Sequence, residues 1–323
     1  MATYKGINGT AVQNYAGDLP GAVEGQVWYN STAATFKINT GAVVTAWATG
    51  NNMNTGRRDM GSAGAGTQTA ALAFGGVAAP VTAVTEAYNG TNWTEVNDLN
   101  TARKYLAGCG TQTSALGFGG YHPGTITAAT ELWNGTNWTE VNNLNTARLN
   151  SGGSGATNTA GLAFGGSPGT KNETEIWNGT NWTEVNNLNT ARSNLGGCGT
   201  NTAALAFGGE LPSGYLATNE LWNGSNWTLV NDLNTGRYKP GAAGITTAAL
   251  SFGGQSAAEP QTAVTEQWNG TNWTEVNDLN TARYGLGQAG TVAAALAFGG
   301  SQSPLAQTEE YGETGGNKTI QTS

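Results

Sequence analysis

The sequence predicts an all-β protein, a six-bladed β-propeller of four-stranded antiparallel blades preceded by a short N-terminal β-hairpin. Three periodic marks carry that prediction. A Leu-Asn-Thr-x-Arg run, with Met for Leu in its first copy, ends at Arg57, Arg103, Arg148, Arg192, Arg237 and Arg283, spaced 44 to 46 residues apart. Phe-Gly-Gly starts at Phe74, Phe118, Phe164, Phe207, Phe252 and Phe298. Glu-x-Trp/Tyr places its aromatic at Tyr88, Trp133, Trp177, Trp222, Trp268 and Tyr311, and Asn-Trp-Thr follows in five units, at Trp93, Trp138, Trp182, Trp227 and Trp273. A period of this length with several short strands per unit is what a propeller blade requires.

Within a unit the elements follow in a fixed order. After the arginine comes a strand of small residues, as at residues 106–110, suited to an inner position where strands converge and bulky side chains have no room. An apolar strand follows, as at 115–118, ending in a diglycine that permits a turn or a close backbone approach a Cβ would block. The third and fourth strands, as at 130–133 and 138–141, flank Asn-Gly-Thr-Asn. Asn-Gly is a strong hairpin signal because both residues tolerate positive φ. The aromatics on either side of that hairpin can pack in the widening space between blades.

The last unit stops at Tyr311 without an Asn-Trp-Thr, whereas Trp47 lies 46 residues before Trp93 and precedes Asn52-Met-Asn-Thr. The strand around Trp47 is therefore expected to supply the outer strand of the sixth blade, closing the ring and removing a free sheet edge. The propeller then spans residues 47–311. Residues 1–46 form an N-terminal hairpin and attachment segment, with strands near 25–30 and 35–38 around Asn30-Ser-Thr. Residues 312–323 are a tail that adds to the last blade or hangs free.

Composition narrows the function classes. Glycine occurs 50 times, only 11% of residues are charged, and the net charge is −8. An acidic chain is a poor partner for nucleic acid or an anionic membrane, whose phosphates need clustered Lys and Arg. No apolar run approaches the ~18 residues of a membrane-spanning helix, and the N-terminus lacks the apolar segment of a secretory signal.

These marks resemble the kelch family, with its diglycine after the second strand, an aromatic before a turn, and a tryptophan beyond it. The resemblance covers residues 47–311 and departs from many kelch repeats in carrying Asn-Gly-Thr-Asn instead of an aspartate-containing turn. It implies the fold and leaves activity open, because kelch propellers include enzymes, scaffolds and adhesins. The pattern Gly25-x-Val-Trp-Tyr-Asn30, Phe36-Lys37 and Trp47, together with the opening Met1-Ala-Thr-Tyr-Lys-Gly-Ile, is similar to segments of bacteriophage tail-fibre proteins and of kelch-bearing virion proteins of marine phages. That resemblance implies a virion structural protein made in the host cytoplasm. It would dock on other virion proteins through residues 1–46 and present a propeller face to a host-surface glycan or protein, and oligomeric assembly on the particle fits it. A ligand-free decoration protein of capsid or tail and a polysaccharide-acting enzyme are the alternatives.

No catalytic, cofactor or metal site is expected. The six arginines and six glutamates (Glu86, Glu131, Glu175, Glu220, Glu266 and Glu309) recur in every unit, whereas an active site departs from symmetry. They read as scaffold, each arginine bonding carbonyls or a carboxylate between blades. His122 is the only histidine, too few imidazoles for a copper or zinc oxidase centre, and nothing around it suggests a nucleophile. Cys109 and Cys198 occupy equivalent places in non-adjacent units, too far apart for a disulfide. Binding residues are expected where units differ, in the connections between Phe-Gly-Gly and Glu-x-Trp, which alternating strand direction gathers on one face. The candidates there are Tyr121, His122, Glu210, Tyr215 and Glu259, in loops that carry Pro80, Pro123, Pro212, Pro260 and Pro304.

Overall fold

The computed structural model of the chain describes residues 13–17, 19–22, 25–39, 44–301, 303, 305–314 and 317–319. The opening residues 1–7 and Pro304, singled out above, lie outside them. Every regular element among the described residues is a β-strand, and none is a helix long and apolar enough to cross a membrane. The chain divides into two compact units, Trp47–Gly312, and Met1–Ala46 with Glu313–Ser323.

The larger unit holds six four-stranded sheets. Sheet 1 consists of Gly61–Ser62, Ala71–Phe74, Thr85–Tyr88 and Trp93–Val96, and sheet 2 of Ala107–Thr111, Ser114–Phe118, Thr130–Trp133 and Trp138–Val141. Sheet 3 consists of Gly152–Thr157, Ala160–Gly166, Lys171–Trp177 and Trp182–Val185, and sheet 4 of Gly196–Gly199, Ala204–Phe207, Asn219–Trp222 and Trp227–Val230. Sheet 5 consists of Gly241–Ile245, Ala248–Phe252, Thr265–Trp268 and Trp273–Val276. Sheet 6 has Gly287–Thr291, Ala294–Phe298 and Thr308–Thr314, and its fourth strand is Val44–Gly50 from the other end of the chain. The outer hairpins share one register, with Trp133 opposite Trp138 and Trp177 opposite Trp182. The first strand of each sheet contacts the first strand of the next, and that of sheet 6 contacts that of sheet 1.

Each sheet is too narrow to bury its own apolar residues, so the core is built between sheets. The phenylalanine of every Phe-Gly-Gly meets, edge to face, a tryptophan of the fourth strand of the next sheet. Phe74 packs on Trp138 at 4.8 Å, Phe118 on Trp182 at 5.0 Å and Phe164 on Trp227 at 5.1 Å. Phe207 packs on Trp273 at 5.1 Å, Phe252 on Trp47 at 4.9 Å and Phe298 on Trp93 at 4.8 Å. Such pairs add about 0.5–1.5 kcal/mol each beyond area burial. Most of these indoles also donate to a buried threonine of the sheet before, as Trp138 Nε1 does to Thr85 Oγ1 at 3.0 Å and Trp47 Nε1 to Thr265 Oγ1 at 3.1 Å. In the Phe-Gly-Gly turns the first glycine needs its positive φ. At Gly119, φ is +64° and a Cβ would sit 2.5 Å from the Arg148 carbonyl oxygen.

The smaller unit is a separate four-stranded sheet. Gln13–Tyr15 lies parallel to Val27–Asn30, which forms a hairpin with Thr35–Asn39, and Asn317–Thr319 pairs antiparallel with that last strand. Residues 312–314 of the C-terminal tail thus extend the third strand of sheet 6, while Asn317–Thr319 joins the smaller sheet. That last strand covers the open edge of Thr35–Asn39, whose backbone groups would otherwise lack ladder partners. Trp28 is fully buried in this sheet.

Candidate functional site

The site begins with the links that carry the chain from one sheet to the next. In each link the arginine is fully buried and forms an ion pair with the glutamate of the sheet it enters: Arg57–Glu86 and Arg103–Glu131 at 2.9 Å, Arg283–Glu309 at 3.0 Å, Arg192–Glu220 at 3.2 Å, and Arg148–Glu175 and Arg237–Glu266 in closer contact. The same guanidinium donates to strand carbonyls, as Arg103 Nη1 does to Gly119 and Ala129 at 2.8 and 2.7 Å. The second carboxylate oxygen accepts from the link asparagine, as Glu131 Oε2 does from Asn100 N and Nδ2 at 2.7 and 2.9 Å. Burial lowers the pKa values of Arg57, Arg103, Arg192, Arg237 and Arg283 against the pull of each glutamate, that of Arg192 to about 10. A buried pair with its hydrogen bonds complete fixes a backbone position, and removing one partner leaves a stranded charge.

What these anchors position are the two residues after each arginine. The first (Arg58, Lys104, Leu149, Ser193, Tyr238, Tyr284) bridges to the residue after a diglycine (Val77, Tyr121, Ser167, Glu210, Gln255, Ser301). The second (Asp59, Tyr105, Asn150, Asn194, Lys239, Gly285) has a φ between +48° and +61° in every unit. Five of these six are not glycine, and a left-handed conformation at such residues persists only where the surroundings over-determine it. The surroundings here are a cycle of backbone hydrogen bonds. Tyr105 N donates to Asp59 O, Asn150 N to Tyr105 O and Asn194 N to Asn150 O at 2.9 Å. Lys239 N donates to Asn194 O at 2.8 Å, Gly285 N to Lys239 O at 3.3 Å, and Asp59 N to Gly285 O at 2.8 Å, which returns to the start.

The six residues of that cycle line a cavity of about 110 Å³ whose walls continue into the small residues of the inner strands. Their backbones repeat and their side chains do not. The Asp59 carboxylate is buried and takes Arg58 Nη1 and Lys239 Nζ, each at 2.5 Å. It lies where Gly285 lacks a side chain, since a Cβ there would come within 2.8 Å of Asp59 Oδ1. Lys239 Nζ stands 4.4 Å from the centre of the Tyr105 ring, and Lys104 Nζ stands 5.0 Å from the same centre and 5.3 Å from that of Tyr121. Tyr215, Tyr238 and Tyr284 run side by side, with ring centres 5.5 and 6.1 Å apart. Glu210 accepts from Asn194 Nδ2 at 2.7 Å, while the buried Asn194 Oδ1 has no hydrogen-bond partner. Burial lowers the Lys239 pKa although Asp59 pulls it upward, and burial raises that of Tyr238.

Of the loop residues anticipated from sequence, this constellation includes Tyr121, Glu210 and Tyr215. His122 is exposed in the two-stranded hairpin of Tyr121–His122 with Thr125–Ile126, and Glu259 is exposed in a turn closed by Ser256. Neither joins the cluster. The groups that sequence reasoning missed are Arg58, Asp59, Lys104, Tyr105, Tyr238, Lys239 and Tyr284. They adjoin the repeated arginine, outside the connections between Phe-Gly-Gly and Glu-x-Trp where binding residues are expected. The available signal was that these two positions change between cation, acid, amide and aromatic while all around them repeats.

A second cavity of about 190 Å³ lies further along the inner strands, lined by small residues together with Cys109, Cys198 and Ile245. The two cysteines are free, and burial pushes each thiol up to about 12. Among the described residues no group of three or more His, Cys, Asp or Glu is arranged to hold a metal ion. No protein-family model matches the chain, and comparison with curated proteins finds no match.

Proposed function

We propose that the chain is a kelch-like six-bladed β-propeller serving as a bacteriophage virion appendage, which presents the face bearing its non-repeating residues to a host-surface glycan or protein. The observation that carries the binding reading is the concentration of asymmetry at one place. Six nearly identical sheets, with repeated Arg–Glu anchors, hold an acid, a lysine, a tyrosine, two asparagines and a glycine around one cavity. A rigid scaffold that holds variable residues together is the usual design of a binding site. Closure into a six-bladed ring is supported by the backbone cycle at residues 59, 105, 150, 194, 239 and 285, and by the strand Val44–Gly50 lying beside Thr308–Thr314. The virion setting draws on the likeness of residues 1–46 to tail-fibre segments, and that segment is the proposed contact with other virion proteins.

The test has two parts. Purified particles are expected to contain the chain, and the purified chain is expected to bind host cells or an arrayed host glycan without cleaving it. Polysaccharide cleavage abolished by a change at Tyr238 or Lys239 would replace this reading with an enzymatic one. Absence of the chain from particles would remove the virion setting.

A further inference from the structure

The cluster at the cavity entrance is electrostatically unbalanced. Tyr105 gathers three cations: Lys239 at 4.4 Å and Lys104 at 5.0 Å from its ring centre, and the Arg58 guanidinium at its phenol. Asp59 pairs with Arg58 and Lys239. Lys104 is in no ion pair among the described residues and has only the faces of Tyr105 and Tyr121. Glu210 accepts from Asn194 and also attracts Lys239. Three cations stand here against two carboxylates, Asp59 and Glu210, and Arg58 and Lys239 repel one another, more so where burial reduces screening. This excess sits in a protein whose net charge is −8, so it is a local arrangement and no reflection of a basic surface.

We infer that this entrance is an anion site, and that it takes the carboxylate of an acidic saccharide. The inference rests on the binding reading above and specifies its ligand. A carboxylate placed beside Lys104 and Arg58 relieves the repulsion and receives charge-assisted hydrogen bonds. The half-buried Arg58, its side chain 24% exposed, can be reached from solvent. Its buried Nε has no hydrogen-bond partner among the described residues. Tyr105 and Lys239 of the same cluster also line the adjoining cavity of about 110 Å³, space for a carboxylate or one small substituent. The row of Tyr215, Tyr238 and Tyr284 beside it offers flat apolar faces with hydroxyl tips, matched to a sugar ring with a C–H face and a polar rim.

The experiment is calorimetric titration of the full chain with a hexuronate oligosaccharide, its carboxyl-reduced neutral counterpart, free hexuronate and acetate, alongside a glycan array. The acidic oligosaccharide is expected to bind, with affinity falling as salt rises, and its reduced form to bind about tenfold or more weakly. Lys104→Met keeps the aliphatic stem and removes the charge. It is expected to weaken the acidic ligand about tenfold, leave the neutral one unchanged and leave the melting temperature at the wild-type value. Arg58→Gln is expected to act in the same direction. Equal binding of acidic and reduced forms, or full affinity in Lys104→Met, overturns the anion site and leaves host binding standing. Displacement of the oligosaccharide by acetate as readily as by free hexuronate overturns the saccharide assignment. A folded chain that binds nothing on the array and no host cell defeats the wider reading along with it.

Discussion

At position 219 an asparagine stands where the other sheets carry Thr85, Thr130, Thr174, Thr265 and Thr308. All five threonines accept an indole N–H from the following sheet's tryptophan. At this one junction Trp273 Nε1 and Asn219 Oδ1 are both buried without a partner. Asn219→Thr restores the bond and should stabilise the protein by about 1 kcal/mol, read as a higher urea midpoint with an unchanged slope. A lower midpoint would show that the amide contributes something the threonine cannot. The thiols give a pH test. Cys109 and Cys198 have pKa values raised from 9.0 to about 12 by burial. A folded pKa above the unfolded one means stability that is complete below pH 9 and is lost as pH rises toward 12. Arg192, lowered to about 10, and Lys239, lowered from 10.5, act in the opposite sense, so the thiol effect is read as the difference between the wild type and a chain without the thiols. Equivalent positions in other sheets hold Ala63, Ser154, Ala243 and Ala289, and a Cys109→Ala, Cys198→Ala double variant should fold and flatten that slope in denaturation series at stepped pH.

At the scale of the element, the fourth strand of sheet 6 is the informative case. Trp47 stacks on Phe252 and Tyr311, donates to Thr265 and receives Asn280 Nδ2 on its carbonyl at 3.0 Å. Trp47→Ala should therefore cost about 3–5 kcal/mol in equilibrium unfolding, as a core position does. A cost below about 1 kcal/mol, the range of a surface change, would mean that this strand is dispensable. The strand was legible in the sequence because Trp47 sits in phase with the other Asn-Trp-Thr tryptophans, and the four strands of each unit were legible for the same reason. Period exposes whatever the repeats share. It gave no purchase on Asn317–Thr319, which pairs with Thr35–Asn39 in a sheet that occurs once. Nor did it reveal the residues after each arginine, whose role comes from a backbone cycle linking positions 44 to 46 residues apart rather than from any local preference. Tyr121, Glu210 and Tyr215 were found because they follow a diglycine in visibly uneven loops. Tyr105, Tyr238 and Lys239 were not, because they adjoin the repeated arginine, outside those loops.

At the scale of the larger unit, the packing of the last sheet against the first is the governing feature. In a linear repeat array the end units have one neighbour each and can fray independently. Here each apolar cluster is shared by two sheets, and this includes the cluster of Met60, Tyr88, Trp93, Leu296 and Phe298 that joins the last sheet to the first. The backbone cycle likewise has no end at which to begin opening, and the Arg–Glu anchors tie every link to the sheet it enters. Loss of any one sheet exposes apolar faces on both its neighbours, so partial unfolding gains little chain entropy for the area it uncovers. Trp47–Gly312 should therefore unfold in one transition, with tryptophan fluorescence and far-ultraviolet circular dichroism coincident along a urea series. Leu205→Ala supplies the sharper comparison. Leu205 is fully buried in the cluster with Phe207, Trp268 and Trp273, between sheets 4 and 5. Its truncation should cost about 2–5 kcal/mol and shift both signals together. A variant in which part of the tryptophan signal departs at lower urea, while the remainder keeps the wild-type midpoint, would mean that the sheets melt as separate neighbours and that the cycle at residues 59 to 285 does not couple them.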